Sequence, residues 1–275
     1  MAMKRLSHFD LSLTVERVEV RVAGMYRGGV GAPIVFLHGF GSTKEDYADV
    51  VQQSTLNDSP IIAYDAPGFG KSYCATPQRL SIPFLVETAL AVLKLRGVDT
   101  FHVVGHSMGG LTALMLASDY PDRVLSFIDI EGNVAPEDCF LSRQIVDSHP
   151  DPEAFLVEFI DRAWSSRFYS SALYSSSLAH KVRAGSVRGV FESMVELSDH
   201  ADLMPRFLGL PIPTMFMYGE QNRTLSYLGH LAANGVELAE IPLSGHFPMY
   251  SNPPEMWRRI TDFIVRHSPE ALSTR

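Results

Sequence analysis

The sequence predicts an α/β protein, a mostly parallel central sheet flanked by helices, on three observations. Short apolar runs bounded by Gly and Pro recur along the chain, segments of helical periodicity separate them, and the runs end in residues able to do chemistry. Continuous apolar runs suit strands buried on both faces, which is the environment of a parallel sheet.

The elements follow in order. Leu11, Leu13 and Val15, then Val18, Val20 and Val22, alternate with polar residues and predict one or two edge strands, with Arg27-Gly28-Gly29 as the turn that follows. Buried strands are then expected at Pro33-Ile34-Val35-Phe36-Leu37, ending in His38-Gly39, and at Ile61-Ile62-Ala63-Tyr64, ending in Asp65. Further runs are Phe101-His102-Val103-Val104 before Gly105, Leu125 to Ile130 before Glu131-Gly132, Thr214 to Tyr218 before Gly219, and Val236 to Ile241 ahead of His246. Helical patterns fill 82–95, 108–119, 225–233 and 254–267. In such sheets the site lies at the carboxyl ends of the strands, so the residues after each run are the ones to inspect.

Between Gly132 and Leu210 the rhythm breaks. Helices are expected at 152–164 and 186–197, and the serine-rich run 165–177 reads as an exposed loop. The expected organisation is a core of 1–132 and 211–275 with a helical cap, 133–210, over the strand ends.

Composition narrows the function. The chain has 275 residues, 46% hydrophobic and 20% charged, with a formal net charge of −8, which disfavours nucleic acid or an anionic membrane as the partner. Cys74 and Cys139 are expected as reduced thiols. The first ten residues have no apolar run after Lys4-Arg5, and no stretch reaches the roughly 20 apolar residues of a membrane span, so the expectation is a cytoplasmic protein. No His, Cys and carboxylate cluster has metal-site spacing, and neither metal nor cofactor is expected.

Gly105-His106-Ser107-Met108-Gly109 carries the chemistry. A serine on a strained strand-to-helix turn needs small residues two before and two after it. The turn exposes its hydroxyl and puts the Met108 N–H at a helix N-terminus, where a developing oxyanion is stabilised. The bland alternative for Ser107 is a helix cap.

The motifs His38-Gly39-Phe40-Gly41, Asp65-Ala66-Pro67-Gly68-Phe69-Gly70-Lys71-Ser72, Gly105 to Gly110 and Ser244-Gly245-His246-Phe247 fall in one order. In them the chain resembles the α/β-hydrolase fold superfamily, in its capped serine esterase, lipase and lactonase-like branch. The resemblance implies Ser107 as nucleophile, His246 as its base, and backbone N–H groups of Phe40 and Met108 as the oxyanion hole. It implies no direct catalytic role for His38 or His106, which read as structural.

The acid departs from the commonest pattern of that superfamily. The segment Gly219-Glu220-Gln221-Asn222 carries Asn222 where Asp usually stands, and an amide stabilises an imidazolium poorly. Haloalkane dehalogenases and some lactone hydrolases of the superfamily use an acid after the strand that here ends at Ile130, which points to Glu131. Asp129 and Glu220 are the alternatives, and Asn222 is then a hydrogen-bonding neighbour. The expected pocket between sheet and cap takes Phe40, Phe140, Trp164, Phe168 and Met249 as lining. The resemblance thus implies a carboxylic-ester hydrolase acting on a small, apolar ester or lactone. Carbon–carbon hydrolysis and a slow-turnover ligand receptor remain as rivals.

Overall fold

The computed structural model describes residues 5–148 and 151–268. His149 and the ends 1–4 and 269–275, which the sequence reading assigned to cap and core, lie outside them.

Nine strands form one sheet in the order β1-β2-β4-β3-β6-β7-β8-β9, with β5 paired to β2. β1 (Ser7–Val15), β2 (Val18–Arg27) and β5 (Tyr73–Cys74) join antiparallel. β4 (Ile61–Tyr64), β3 (Ile34–Leu37), β6 (Phe101–His106), β7 (Val124–Ile130), β8 (Thr214–Gly219) and β9 (Glu237–Ile241) run parallel to one another. β1 and β2 pair through Val15 and Val18 across Glu16-Arg17, whose φ values of 45° and 67° give the doubly left-handed turn that matches strand twist. No Asn-Gly marks it, so the sequence left one strand or two open.

The inner strands alternate between two apolar layers, as a period of two requires. Val35, Leu37, Val103, Phe127 and Phe216 belong to one apolar cluster that also takes in α1 (Ile82–Leu95) and α2 (Met108–Asp119). Phe36, Val104, Ile128, Met215 and Met217 point the other way, into a cluster with Met256, Trp257 and Ile260 of α10 (Pro253–His267). Ser81 caps α1 by accepting from the Phe84 N–H at 3.2 Å, and Asn252 caps α10 from the Glu255 N–H at 3.4 Å.

Five helices stand between β7 and β8: α3 (Ser142–Asp147), α4 (Pro152–Trp164), α5 (Tyr169–Lys181), α6 (Val187–His200) and α7 (Leu203–Leu208). The run expected as a loop, 165–177, is mostly helix α5. Its serines turn hydroxyls back onto the helix, Ser175 onto the Ala172 carbonyl at 3.1 Å and Ser176 onto Leu173 at 2.7 Å, which offsets their poor propensity. Tyr174 and Leu178, one turn apart, bury against the core. After β8 come α8 (Leu228–Ala233), shorter than the 225–233 expected, and the single turn α9 (Pro248–Ser251). No helix among the described residues is long and apolar enough to cross a membrane.

Candidate active site

Four strand ends converge. β6 delivers Ser107, β7 Glu131, β8 Gly219 to Asn222, and the segment after β9 His246. Ser107 sits at φ 52°, ψ −119°, a conformation side chains rarely adopt, and its N–H donates to the Ile130 carbonyl at 2.9 Å. The glycines around it are steric necessities. A Cβ on Gly105 would lie 2.4 Å from the Gly109 oxygen, and one on Gly109 2.2 Å from the Leu37 oxygen. The first turn of α2 therefore presses directly on the end of β3, beside Gly39 and Phe40.

Glu131 turns off β7 at φ 47°, and the turn aims its carboxylate at β8. Its Oε1 accepts from the Gly219 N–H at 2.7 Å and from the Asn222 amide at 2.8 Å. Its Oε2 accepts from the same amide at 2.7 Å and pairs with His246 Nδ1 at 2.7 Å. A carboxylate at Nδ1 fixes the neutral imidazole as the Nδ1–H tautomer and leaves Nε2 with a free lone pair. Asn222, at the position of the usual acid, thus holds the carboxylate that His246 uses.

The other two carboxylates are occupied elsewhere. Asp129 is fully buried, with Oδ1 accepting from the Gly132 N–H at 2.8 Å, and burial pushes its carboxyl well above the ordinary range. Glu220 accepts from the Leu243 N–H at 2.8 Å and pairs with Arg223 at 2.7 Å.

Two further histidines brace the site. His106 packs its ring 4.9 Å from that of His246, and its Nε2 donates to the His246 carbonyl at 2.8 Å. Burial, then the neighbouring His246, lowers its pKa far enough to keep it neutral. His38 is equally buried and held neutral chiefly by desolvation. Its Nε2 accepts from the Ala66 N–H and its Nδ1 donates to the Gly39 carbonyl, both at 2.8 Å, so it ties two loops together beside Phe40. Asp65, after β4, receives the Lys44 and Lys71 N–H groups at 2.9 Å and the Lys44 ammonium at 2.8 Å. This internal ion pair, together with Glu45 at 2.8 Å from the same ammonium, explains why a lysine as buried as Lys44, 2% exposed, is tolerated.

Ser107, Glu131 and His246 line one cavity of about 350 Å³, with Phe40, Phe140, Phe159, Tyr174, Phe191 and Phe247 as its aromatic walls. No hydrogen bond joins Ser107 to His246 here, and such contacts often close only around substrate. The Phe40 and Met108 N–H groups donate to no backbone or side-chain acceptor among the described residues. The Phe40 carbonyl accepts from Tyr174 Oη at 2.9 Å, which fixes that loop.

The expected lining needs correction. Phe40 and Phe140 line this cavity, whereas Phe168 lines an adjoining one of about 240 Å³ that His246 also borders. Trp164 is 61% exposed, because it and Val157, seven residues apart, occupy the outer face of α4. Met249 is buried beneath the sheet with Phe36 and Trp257. Sequence reasoning missed Tyr174, hidden in the serine run, and Phe159, whose spacing from Phe155 on α4 was the available signal. Among the described residues no group of three or more His, Cys, Asp or Glu could hold a metal ion.

A family model described as "Alpha/beta hydrolase family" matches residues 34–259. The chain belongs to that family. Among curated relatives of this hydrolase-family chain, the pimeloyl-[acyl-carrier protein] methyl ester esterase of Aeromonas hydrophila is 34% identical over 117 residues, 42% of either chain. The dihydrolipoyllysine-residue acetyltransferase component of the acetoin cleaving system of Cupriavidus necator is 37% identical over 111 residues, 39% of this chain and 28% of that one. The chain spans less than half the length of these curated relatives. The N-acyl homoserine lactonase AidH, solved with N-hexanoyl homoserine, shares the fold at a TM-score of 0.74 and 19% identity, over 95% of this chain and 97% of that one.

Proposed function

We propose that this protein is a serine hydrolase of carboxylic esters, lactones included, working through an acyl-enzyme with Ser107, His246 and Glu131 as its triad. The observation that carries the reading is the Glu131–His246 pair at 2.7 Å on the wall of the cavity that Ser107 lines. His246 Nε2 takes the Ser107 proton as Oγ attacks the substrate carbonyl carbon. The Phe40 and Met108 N–H groups hold the oxyanion, and removing one such donor typically costs about 10² to 10³ in rate. Collapse of the tetrahedral adduct expels the alcohol, which takes the proton from His246. Water then attacks the acyl-enzyme with His246 again as base, releasing the acid and free Ser107. Glu131 stays ionised throughout, clamped by Asn222, and stabilises the imidazolium. The helices of 133–210 act as a cap whose aromatic side chains receive the acyl part. Family membership and the methyl ester esterase among the relatives support the same chemistry.

The test is steady-state hydrolysis of p-nitrophenyl esters of graded acyl length by the parent protein and Ser107→Ala, with fluorophosphonate labelling in parallel. Multiple turnovers and labelling, both lost in Ser107→Ala, are expected. Labelling absent and turnover absent on every ester would overturn the reading and favour a binding role.

A further inference from the structure

The cavity above Ser107 is walled by aromatic rings, and among its described lining residues it holds a single guanidinium, Arg162. The two carboxylates that share the cavity are already engaged. Glu131 is held by Gly219, Asn222 and His246. Asp138 accepts from the Val134 and Ala135 N–H groups at 2.9 Å and from Tyr227 Oη at 2.8 Å. Arg162, on α4, forms no ion pair with a described residue; its Nη2 donates to the neutral Oε1 of Gln144, on α3, at 2.8 Å. Arg162 is solvent-exposed at the cavity's edge, and its side-chain partner there is an amide, not an anion.

Position decides which part of a substrate supplies that anion. The Arg162 guanidinium stands 6.0 Å from the Phe159 ring, which is itself 6.4 Å from the Phe40 ring. Gln144, which meets Arg162, also donates to the Phe140 carbonyl at 2.8 Å, and the Phe140 ring lies 5.9 Å from that of His246. Ser107, these aromatic rings and the Arg162–Gln144 pair thus line one cavity. The adjoining cavity beyond His246 has the opposite character: Glu131, Glu137 and Asp138 line it, with no Lys or Arg among its described lining residues. Glu131 and Asp138 border both compartments, and Arg162 borders only the first.

We propose that Arg162 and Gln144 bind a terminal carboxylate, so that the preferred substrates are esters of acyl chains that carry a carboxylate at the end remote from the scissile bond. Arg presents a planar fork to a carboxylate, and the hydrogen bond to Gln144 at 2.8 Å tethers that fork at the cavity's edge. The inference rests on the ester-hydrolase reading for its chemistry, but its binding half does not.

The test compares mono-p-nitrophenyl suberate with p-nitrophenyl octanoate, acyl chains of one length differing in the terminal carboxylate. The parent should favour the suberate, and Arg162→Gln should lower the ratio of the two kcat/KM values about fivefold, the scale of a solvent-accessible ion pair. Arg162→Lys should recover part of that loss, and added salt should erode the preference. A ratio unchanged in Arg162→Gln, or a parent that prefers octanoate, would overturn the inference while leaving ester hydrolysis intact. Binding of monomethyl suberate to Ser107→Ala by calorimetry separates the two ideas. If neither ester turns over yet this binding weakens at least about fivefold in Ser107→Ala/Arg162→Gln, the carboxylate site stands and the hydrolase reading falls. Equal binding by the two variants would sink the site.

Discussion

Glu131→Gln is the sharpest perturbation of the site. The native carboxylate accepts four hydrogen bonds: one from Gly219, two from the Asn222 amide and one from His246 Nδ1. An isosteric amide has one acceptor. If its oxygen stays on the Gly219 N–H, its nitrogen faces two donors, the Asn222 amide and His246 Nδ1–H. The imidazole relieves the clash by moving its proton to Nε2, which removes the lone pair that Ser107 needs. The comparable change of the triad Asp to Asn in a serine protease costs about 10⁴ in kcat, equivalent to about 5.5 kcal/mol. We expect kcat on the best p-nitrophenyl ester to fall by about 10³ to 10⁴, with a melting temperature within a few degrees of the parent. The Asn222 amide and His246 Nδ1 both lie 2.7 Å from the same Glu131 oxygen. In Glu131→Ala, therefore, a second change, Asn222→Asp, should restore roughly 10- to 100-fold by turning a carboxylate into the vacated space. A Glu131→Gln protein that keeps kcat within tenfold of the parent would refute the argument.

Three more outcomes follow from the same geometry. Ser107→Gly removes activity but relieves the strained φ of 52°, a gain that outweighs the extra freedom of Gly in the unfolded chain. The net is about 1 kcal/mol, visible by calorimetry as a melting temperature raised by about 2 °C. Burial, then the nearby Glu137, raises the Asp138 carboxyl from 3.8 to about 6, so the unfolded chain loses this proton first as pH rises. Asp138 therefore subtracts stability progressively between about pH 4 and pH 6, by about 3 kcal/mol in all, and Asp138→Asn should flatten that part of the stability profile in denaturant titrations. Lys44→Met strands the fully buried Asp65 without its cation and should lower the unfolding free energy by about 3 kcal/mol in urea titrations.

The sheet was legible because its inner strands are apolar on both faces, and runs such as Ile61 to Tyr64 leave few other readings. The helices that end on caps or sharp steric limits, Ile82–Leu95 and Met108–Asp119, were legible to the residue. What failed was governed by tertiary contact. The Glu16-Arg17 turn carries no Gly or Asn, and its left-handed conformation is imposed by the nine residue pairs of the hairpin it closes. Helix α5 is anchored by two bulky residues, Tyr174 and Leu178, which press so closely on Gly41 that a Cβ there would sit 2.3 Å from both, and its serines gave no sign of that contact. At the candidate site, Ser107, His246 and Glu131 stood out because each follows a strand. The Asn222 clamp was suggested only by a missing carboxylate. Trp164 and Met249 were misplaced because an aromatic or sulfur side chain says nothing about which face of its element points inward.

The pinning of α5 bears on traffic. Its Tyr174 holds the Phe40 carbonyl and stacks on Phe247 at 4.3 Å, Val182 just past its end bridges to Phe69, and Lys181 reaches Asp46 at 3.6 Å. A helix moored to the Phe40 loop and to the His246 loop does not swing away without dismantling both. Entry past the α3 side, where Phe140 is 63% exposed, would need only side-chain rotation. Rotations of that kind take nanoseconds, against microseconds to milliseconds for a moving domain. The ceiling on turnover is accordingly set by the girth of what must pass the doorway, and solvent viscosity should leave it almost untouched.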